Sequence, residues 1–247
     1  MSEFSVVGRR LPKLNSWDHL TGTARYADDI QMPRMLHGKL LRSTQPHALI
    51  KRLDVSRALA HPGVLAIVTG ADMPAKMGIM PSPQAETALA VGKVRYVGEP
   101  VAAVAAIDED TAVEALALID VVYEPLEPIF TIEEALERED VKIHEHSRRA
   151  NVFKEVHLSF GDLEAGFASA DHVRDDWFFY EGTTHAAMET HSAVATFDGD
   201  GRLTVWSSTQ VPHYLHREME RVLGMPRSRI RVIATPSSTI SDIDRAY

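Results

Sequence analysis

The stretch from Lys93 to Pro125 constrains the fold more than any other part of the chain. Lys93-Val94-Arg95-Tyr96-Val97 alternates and predicts a strand, and Gly98-Glu99-Pro100 turns the chain into a second one, Val101 to Ile107. Asp108-Glu109-Asp110-Thr111 offers capping oxygens and early negative charge, which complement a helix dipole. Ala112, Ala115, Leu116 and Ile119 then fall on one helical face. Asp120-Val121-Val122-Tyr123-Glu124-Pro125 returns as a strand, stopped by Pro125 and Pro128. This order with short links predicts an α+β (mixed α/β) first domain ending near residue 127.

Residues 1 to about 20 carry mixed charge without periodicity and read as an extended arm. A short strand is expected around Leu36, Leu40 and Leu41, and Val64 to Gly70 has the pattern of a buried strand. Met73 to Gln84 is rich in Pro, Met and Gly and reads as a loop. Beyond the first domain, Thr131-Ile132-Glu133-Glu134 has capping-box spacing for a helix, and a charged connector runs from Glu137 to Arg149. Phe153 to Phe160 alternates apolar and polar residues, Gly161-Asp162 breaks it, and a short helix is expected from Leu163 to Ala170. Ser192–Phe197 and Leu203–Ser207 flank the turn Asp198-Gly199-Asp200-Gly201, whose Asp-Gly pairs tolerate the positive φ of a tight hairpin. A helix from His213 to Leu223, stopped by Gly224 and Pro226, precedes a last strand at Ile230–Ile233. There is no internal repeat.

Charge and composition narrow the function classes. The formal net charge is -9 and the basic residues are scattered, which argues against nucleic acid as a partner. No cysteine is present, which excludes disulfides, thiolate zinc sites, cysteine-ligated iron–sulfur clusters and a cysteine nucleophile within this chain. The first residues lack the apolar core of a secretory signal, and the longest apolar run, Val101 to Ile107, is too short to span a bilayer. A soluble, cytoplasmic protein with no membrane partner is the expectation.

General motifs add little. Gly161 and Gly166 have phosphate-loop spacing, but Phe167-Ala168 stands where Lys and Ser/Thr are needed. No dinucleotide glycine fingerprint follows a strand, and no Gly-x-Ser-x-Gly elbow occurs. His213, His216 and Glu220 can share one helix face and bind a metal, or simply border an amphipathic helix. His144-Glu145-His146 reads as a solvent-facing part of the connector. His185, Glu189 and His191 cluster beside a strand, where acid–base work and structural hydrogen bonding are both open.

Several segments together resemble the large subunit of the aldehyde oxidase/xanthine dehydrogenase family. Thr21-Gly22-Thr23-Ala24-Arg25-Tyr26-Ala27-Asp28-Asp29-Ile30 is similar to its entry motif, and Leu41-Arg42-Ser43 with His47-Ala48-Leu49-Ile50 to its first strand and turn. Val94 to Val104 resembles the heart of its α/β hammerhead domain. His185-Ala186-Ala187-Met188-Glu189-Thr190-His191, Trp206-Ser207-Ser208-Thr209-Gln210, Leu223-Gly224-Met225-Pro226 and Arg229-Ile230-Arg231-Val232 resemble signatures of its cofactor domain. The matches run in order from about residue 18 to about residue 236.

The resemblance implies an arm (1–18), a hammerhead domain (19–127) and the N-terminal part of a molybdopterin-binding domain (128–236). It implies a molybdenum-cofactor oxidoreductase subunit, with iron–sulfur clusters and FAD on partner subunits and a small-molecule or aromatic acyl-CoA substrate. It makes Gln210 a cofactor-binding residue, its neutral amide able to donate to an oxo ligand and to accept from a proton-bearing neighbour. Gly182, His185 and Glu189 would be scaffold for that site, and no residue is assigned as catalytic or as a metal ligand.

After Pro236 the family continues into a Gly-Gly-Gly-Phe-Gly-Gly loop whose geometry only glycine permits. Here Ser237 to Tyr247 follows instead, so 237–247 is expected to be a non-family tail, and the family's catalytic glutamate has no counterpart. A truncated chain, inactive alone, is the expectation; a non-catalytic fragment that binds partners or persists as a relic is the alternative. Truncation would leave apolar surface exposed beyond about residue 150, with that region partly mobile. Residues 96–112 and 209–212 look most similar to the α subunit of 4-hydroxybenzoyl-CoA reductase within the family.

Overall fold

The computed structural model describes residues 6–78, 85–147, 149–184 and 189–236. A short helix α1 (Ser16–Thr21) and a 3-10 turn at Ala27–Asp29 lead into β1 (His37–Arg42), so the expected arm already holds local structure. There follow β2 (Ala48–Asp54), α2 (Ser56–Leu59), β3 (Val64–Thr69), β4 (Lys76–Met77), β5 (Glu86–Thr87), β6 (Lys93–Val94), β7 (Pro100–Ala106), α3 (Glu109–Leu116) and β8 (Asp120–Pro125). Two antiparallel sheets result, in the orders β1-β7-β3 and β6-β2-β8, beside a small β4–β5 hairpin.

Strand β7, Pro-Val-Ala-Ala-Val-Ala-Ala, is the hub. Its small side chains let α3 lie close on the sheet. Val104 and Ala106 pack with Ala58, Ala112 and Ala115, flanked by Val64, Ile67, Leu116 and Ile119. Val101 belongs instead to a second cluster with Ala48, Ala90 and Val94, which Ile50, Leu53 and Tyr123 border. Helix α3 starts as its sequence requires, with the Asp108 carboxylate accepting from the Thr111 N–H at 2.7 Å. Gly70 is the tightest point, because a Cβ there would lie 2.2 Å from the Ala90 carbonyl oxygen.

The first domain is fastened at its exit. The buried His47 ring donates from Nδ1 to the Glu127 carbonyl at 2.7 Å, and Leu126 N–H donates to the His47 carbonyl at 2.9 Å.

Two expectations are corrected here. The strand expected over 93–97 stops after Val94, because the Glu99 carboxylate takes the Arg95 N–H and Gly98 turns the chain at φ 93°. Strand β2, the centre of the second sheet, has no counterpart among the expected strands; a register shift between Ile50 and Arg52 breaks its alternation.

Beyond residue 127 come α4 (Ile132–Glu137), α5 (Leu163–Ala168), β9 (Ala193–Phe197), β10 (Leu203–Ser207), α6 (Pro212–Leu223) and β11 (Ile230–Ala234). Thr131 and Asp162 cap α4 and α5, accepting from Glu134 N–H at 3.2 Å and Ala165 N–H at 3.0 Å. The hairpin β9–β10 forms as expected, with Gly201 at φ 73°. Strands β10 and β11 pair in parallel, so α6 is the crossover between them.

The apolar–polar alternation over 153–160 does not become a strand: these residues are exposed, with no sheet partner among the described residues. The exposed apolar surface expected past residue 150 is present there and over 172–180, whereas β11 and α6 pack against each other. Among the described residues no helix is long and apolar enough to cross a membrane.

Candidate cofactor site at the carboxyl edge of the last sheet

In a β–α–β crossover, ligands bind beyond the carboxyl ends of the parallel strands, where the helix presents its free N–H groups. Here that place is the link from β10 to α6, and Gln210 stands in it, on an exposed bend. Thr209 holds the bend: its N–H donates to the Ser207 carbonyl at 2.8 Å, and its hydroxyl accepts from the Val211 N–H at 3.2 Å. Pro212 then starts α6, whose first turn carries no acidic residue and no side-chain cap. The positive end of the helix dipole beside Gln210 is therefore left uncompensated.

Hydroxyls collect along the same edge. Ser208 Oγ accepts from the Ser192 N–H at 3.0 Å and donates to the Ser192 carbonyl at 3.2 Å. At the end of β11, Thr235 donates its N–H to the Ser207 carbonyl at 3.2 Å. Ser192 Oγ and Thr235 Oγ1 are buried and have no hydrogen-bond partner among the described residues. Buried hydroxyls without partners are uncommon and costly. An amide, two unpartnered hydroxyls and a bare helix N-terminus together suit a ligand rich in acceptor oxygens.

The other candidates fare differently. His185 lies outside the described residues, as do residues 237–247 of the expected tail. Gly182 lies in an exposed extended stretch, and a Cβ there would meet nothing. The metal reading of α6 finds no support: His216 Nε2 donates to the carbonyls of Arg227 at 3.1 Å and Ile230 at 3.0 Å. Glu220 pairs with Arg227 at 2.5 Å. No group of three or more His, Asp or Glu able to hold a metal occurs among the described residues.

The connector faces solvent only in part, since the Glu145 side chain is exposed while His144 and His146 are half-buried. It folds back on β6, where Glu145 pairs with Lys93 at 2.5 Å and with Arg95 at 3.4 Å. Burial raises the Glu145 pKa, but the Lys93 bond and both cations outweigh it and hold the carboxyl down at about 2. Burial, with Arg95 nearby, lowers His144. Asn151 pins the loop by donating to the carbonyls of Val141 at 2.9 Å and Arg138 at 3.3 Å, while accepting from Ile143 N–H at 2.9 Å. Lys76, Arg95, His144, Glu145 and His146 line a cavity of about 470 Å³ at this junction.

Residues 21–127 match the model of the aldehyde oxidase and xanthine dehydrogenase a/b hammerhead domain, and residues 143–237 match the molybdopterin cofactor-binding domain. The chain belongs to the aldehyde oxidase and xanthine dehydrogenase family.

It is 38% identical to the nicotinate dehydrogenase large molybdopterin subunit of Eubacterium barkeri, over 94% of this chain and 54% of that one. It is 36% identical to the carbon monoxide dehydrogenase large chain of Afipia carboxidovorans, over 86% of this chain and 28% of that one. Among solved structures it resembles quinoline 2-oxidoreductase from Pseudomonas putida 86, with a TM-score of 0.80 and 32% identity over 93% of this chain and 30% of that one. The chain thus spans about half of the first relative and under a third of the others.

Proposed function

We propose that this chain forms the N-terminal portion of the molybdenum-cofactor-bearing subunit of a cytoplasmic oxidoreductase, and that Gln210 binds the cofactor. The observation that carries the proposal is the position of Gln210 at the carboxyl edge of β10, beside the bare N-terminus of α6 and the unpartnered hydroxyls of Ser192 and Thr235. The cofactor, when bound, supplies the two-electron redox chemistry. Gln210 orients it through a neutral amide that both donates and accepts, without adding charge. The Ser192 and Thr235 hydroxyls and the His213 N–H in the first turn of α6, where Pro212 has no N–H and Tyr214 and Leu215 already donate to the Val211 carbonyl, supply further donors to acceptor oxygens. Glu189 helps to shape the same edge.

The names of the relatives, a large molybdopterin subunit and a large chain among them, support an assembly with further subunits; iron–sulfur and FAD subunits as electron acceptors are the finer reading, which rests on the family resemblance. The substrate is read as a small molecule, with an aromatic acyl-CoA as the finer reading from the resemblance of residues 96–112 and 209–212. Turnover is expected only when the rest of the large chain and its electron-transfer partners are present.

Molybdenum and pterin content of the chain, purified alone and then co-expressed with the remaining part of a family large subunit, tests this. Cofactor in the co-expressed sample, reduced in Gln210→Ala together with a loss of activity on the order of 100-fold, supports the reading. No cofactor in either sample rejects it and leaves a non-catalytic, partner-binding fragment built on the hammerhead domain.

A further inference from the structure

Two stretches have the physical character of half-buried strands with nothing buried against them. In 153–160, Val156, Leu158 and Phe160 share one face, and Leu158 is 77% exposed. On the opposite face Glu155 pairs with His157 at 3.2 Å, as residues two apart do in an extended chain. In 172–180, Trp177 and Phe179 stack with ring centroids 6.0 Å apart, again two apart on one face, while Phe178 is 86% exposed. No backbone N–H or carbonyl of either stretch bonds to another backbone group among the described residues. Helix α5 joins the two, and an open hollow of about 460 Å³ lies between them, lined by Phe160, Leu163, Phe167 and Val173.

We propose that 153–160 and 172–180 become sheet strands by pairing with the remainder of the molybdopterin cofactor-binding region, which also seats an apolar side chain in the hollow beside α5. This rests on the proposed function and names the surface through which the assembly forms. Unpaired strand backbone with an apolar face is a template for strand addition. The two-faced alternation calls for a cover on one side only, as a sheet laid on a core provides. The occupant follows from the relatives: the match to the cofactor-binding model runs through both stretches, and most relatives are more than three times as long as the matched part. The nicotinate dehydrogenase large molybdopterin subunit, of which the chain covers 54% against 28% of the carbon monoxide dehydrogenase large chain, is itself little more than half as long as the latter. A family member can thus have a much shorter large chain, which makes completion by a separate polypeptide workable.

The test is amide exchange across 150–184 in the full chain, alone and mixed with a polypeptide comprising the part of the Eubacterium barkeri protein that this chain does not match. Alone, both stretches should exchange freely while β7 and β2 are protected. In the mixture a complex should form, and amides in both stretches should slow by about 100-fold or more. Leu158→Asp and Phe178→Asp should each abolish the complex and leave β7 protection unchanged, since both side chains are exposed in the free chain. Protection in the free monomer, protection in a dimer of this chain, no complex with the probe, or a complex without protection would each overturn the proposal. The readout needs no cofactor, so molybdenum binding without strand protection would sink this inference and leave the proposed function standing.

Discussion

The backbone N–H of Gly78, just beyond β4, donates to the buried carboxylate of Glu218 on α6 at 3.2 Å, across 140 positions of sequence. Arg217 reaches the same carboxylate at 2.8 Å and Arg221 at 3.5 Å. Burial raises the Glu218 pKa, but these donors outweigh it and leave the group below the usual carboxylate range. One side chain thereby ties the hammerhead half to the crossover half.

Glu218→Ala strips the acceptor from Gly78 and the partner from the arginines, and should cost about 1–3 kcal/mol of stability. Glu218→Gln keeps an acceptor and should lose less. The native carboxylate's contribution is present above its unfolded pKa and fades as pH falls through its lower folded one. Urea unfolding of the wild type and both variants, at neutral and acidic pH, measures this. Equal midpoints for all three would refute it.

The Glu145 latch should have its own acid limit. Its pKa moves from 4.5 to about 2, so its contribution is complete above about 4.5 and is lost as pH falls from there toward 2. Glu145→Gln should remove that dependence. Exchange of the amides of 143–147 as a function of pH reports it, and identical profiles for the two proteins would contradict the assignment.

Gly70→Ala places a methyl 2.2 Å from the Ala90 carbonyl oxygen, which belongs to backbone and cannot swing away. Ala90 is itself held by its N–H bond to the Pro100 carbonyl at 2.7 Å, at the start of β7. The substitution should cost about 3 kcal/mol or more. A melting temperature within a degree or two of the wild type would show that the contact relaxes.

Ala115→Leu should lift α3 from β7, since Ala115 is fully buried against Val104 and Ala106. Overpacking of this kind costs about 1–3 kcal/mol. The loss should appear in the first domain, with exchange at β10 and β11 unaltered.

Much of the fold was legible in local chemistry. The Asp108 cap, the alanine face of α3, the Pro125 stop and the Asp-Gly turn before β10 each act through near neighbours, and each stands where it was expected. What failed depended on distant partners. Val94 to Val97 alternates, yet the Glu99 side chain takes the amide that a longer strand would have used. Residues 153–160 alternate equally well but have no sheet to join among the described residues. The site was less legible still. Gln210 was singled out by resemblance alone, and the buried hydroxyls of Ser192 and Thr235 were missed, because a serine or threonine beside a strand end has no periodic signature.

The His47–Glu127 bond and its companion from Leu126 close the first domain with a clasp rather than a frayed end. Past it, Phe130 and the first turn of α4 lie open to solvent. Interruption just after residue 127 would leave both ends of β2 and β8 still sewn together. The bonds that hold the front part in register at this point are therefore its own, and the ties that a break there would leave behind are the more distant ones, Gly78 to Glu218 and Lys93 to Glu145.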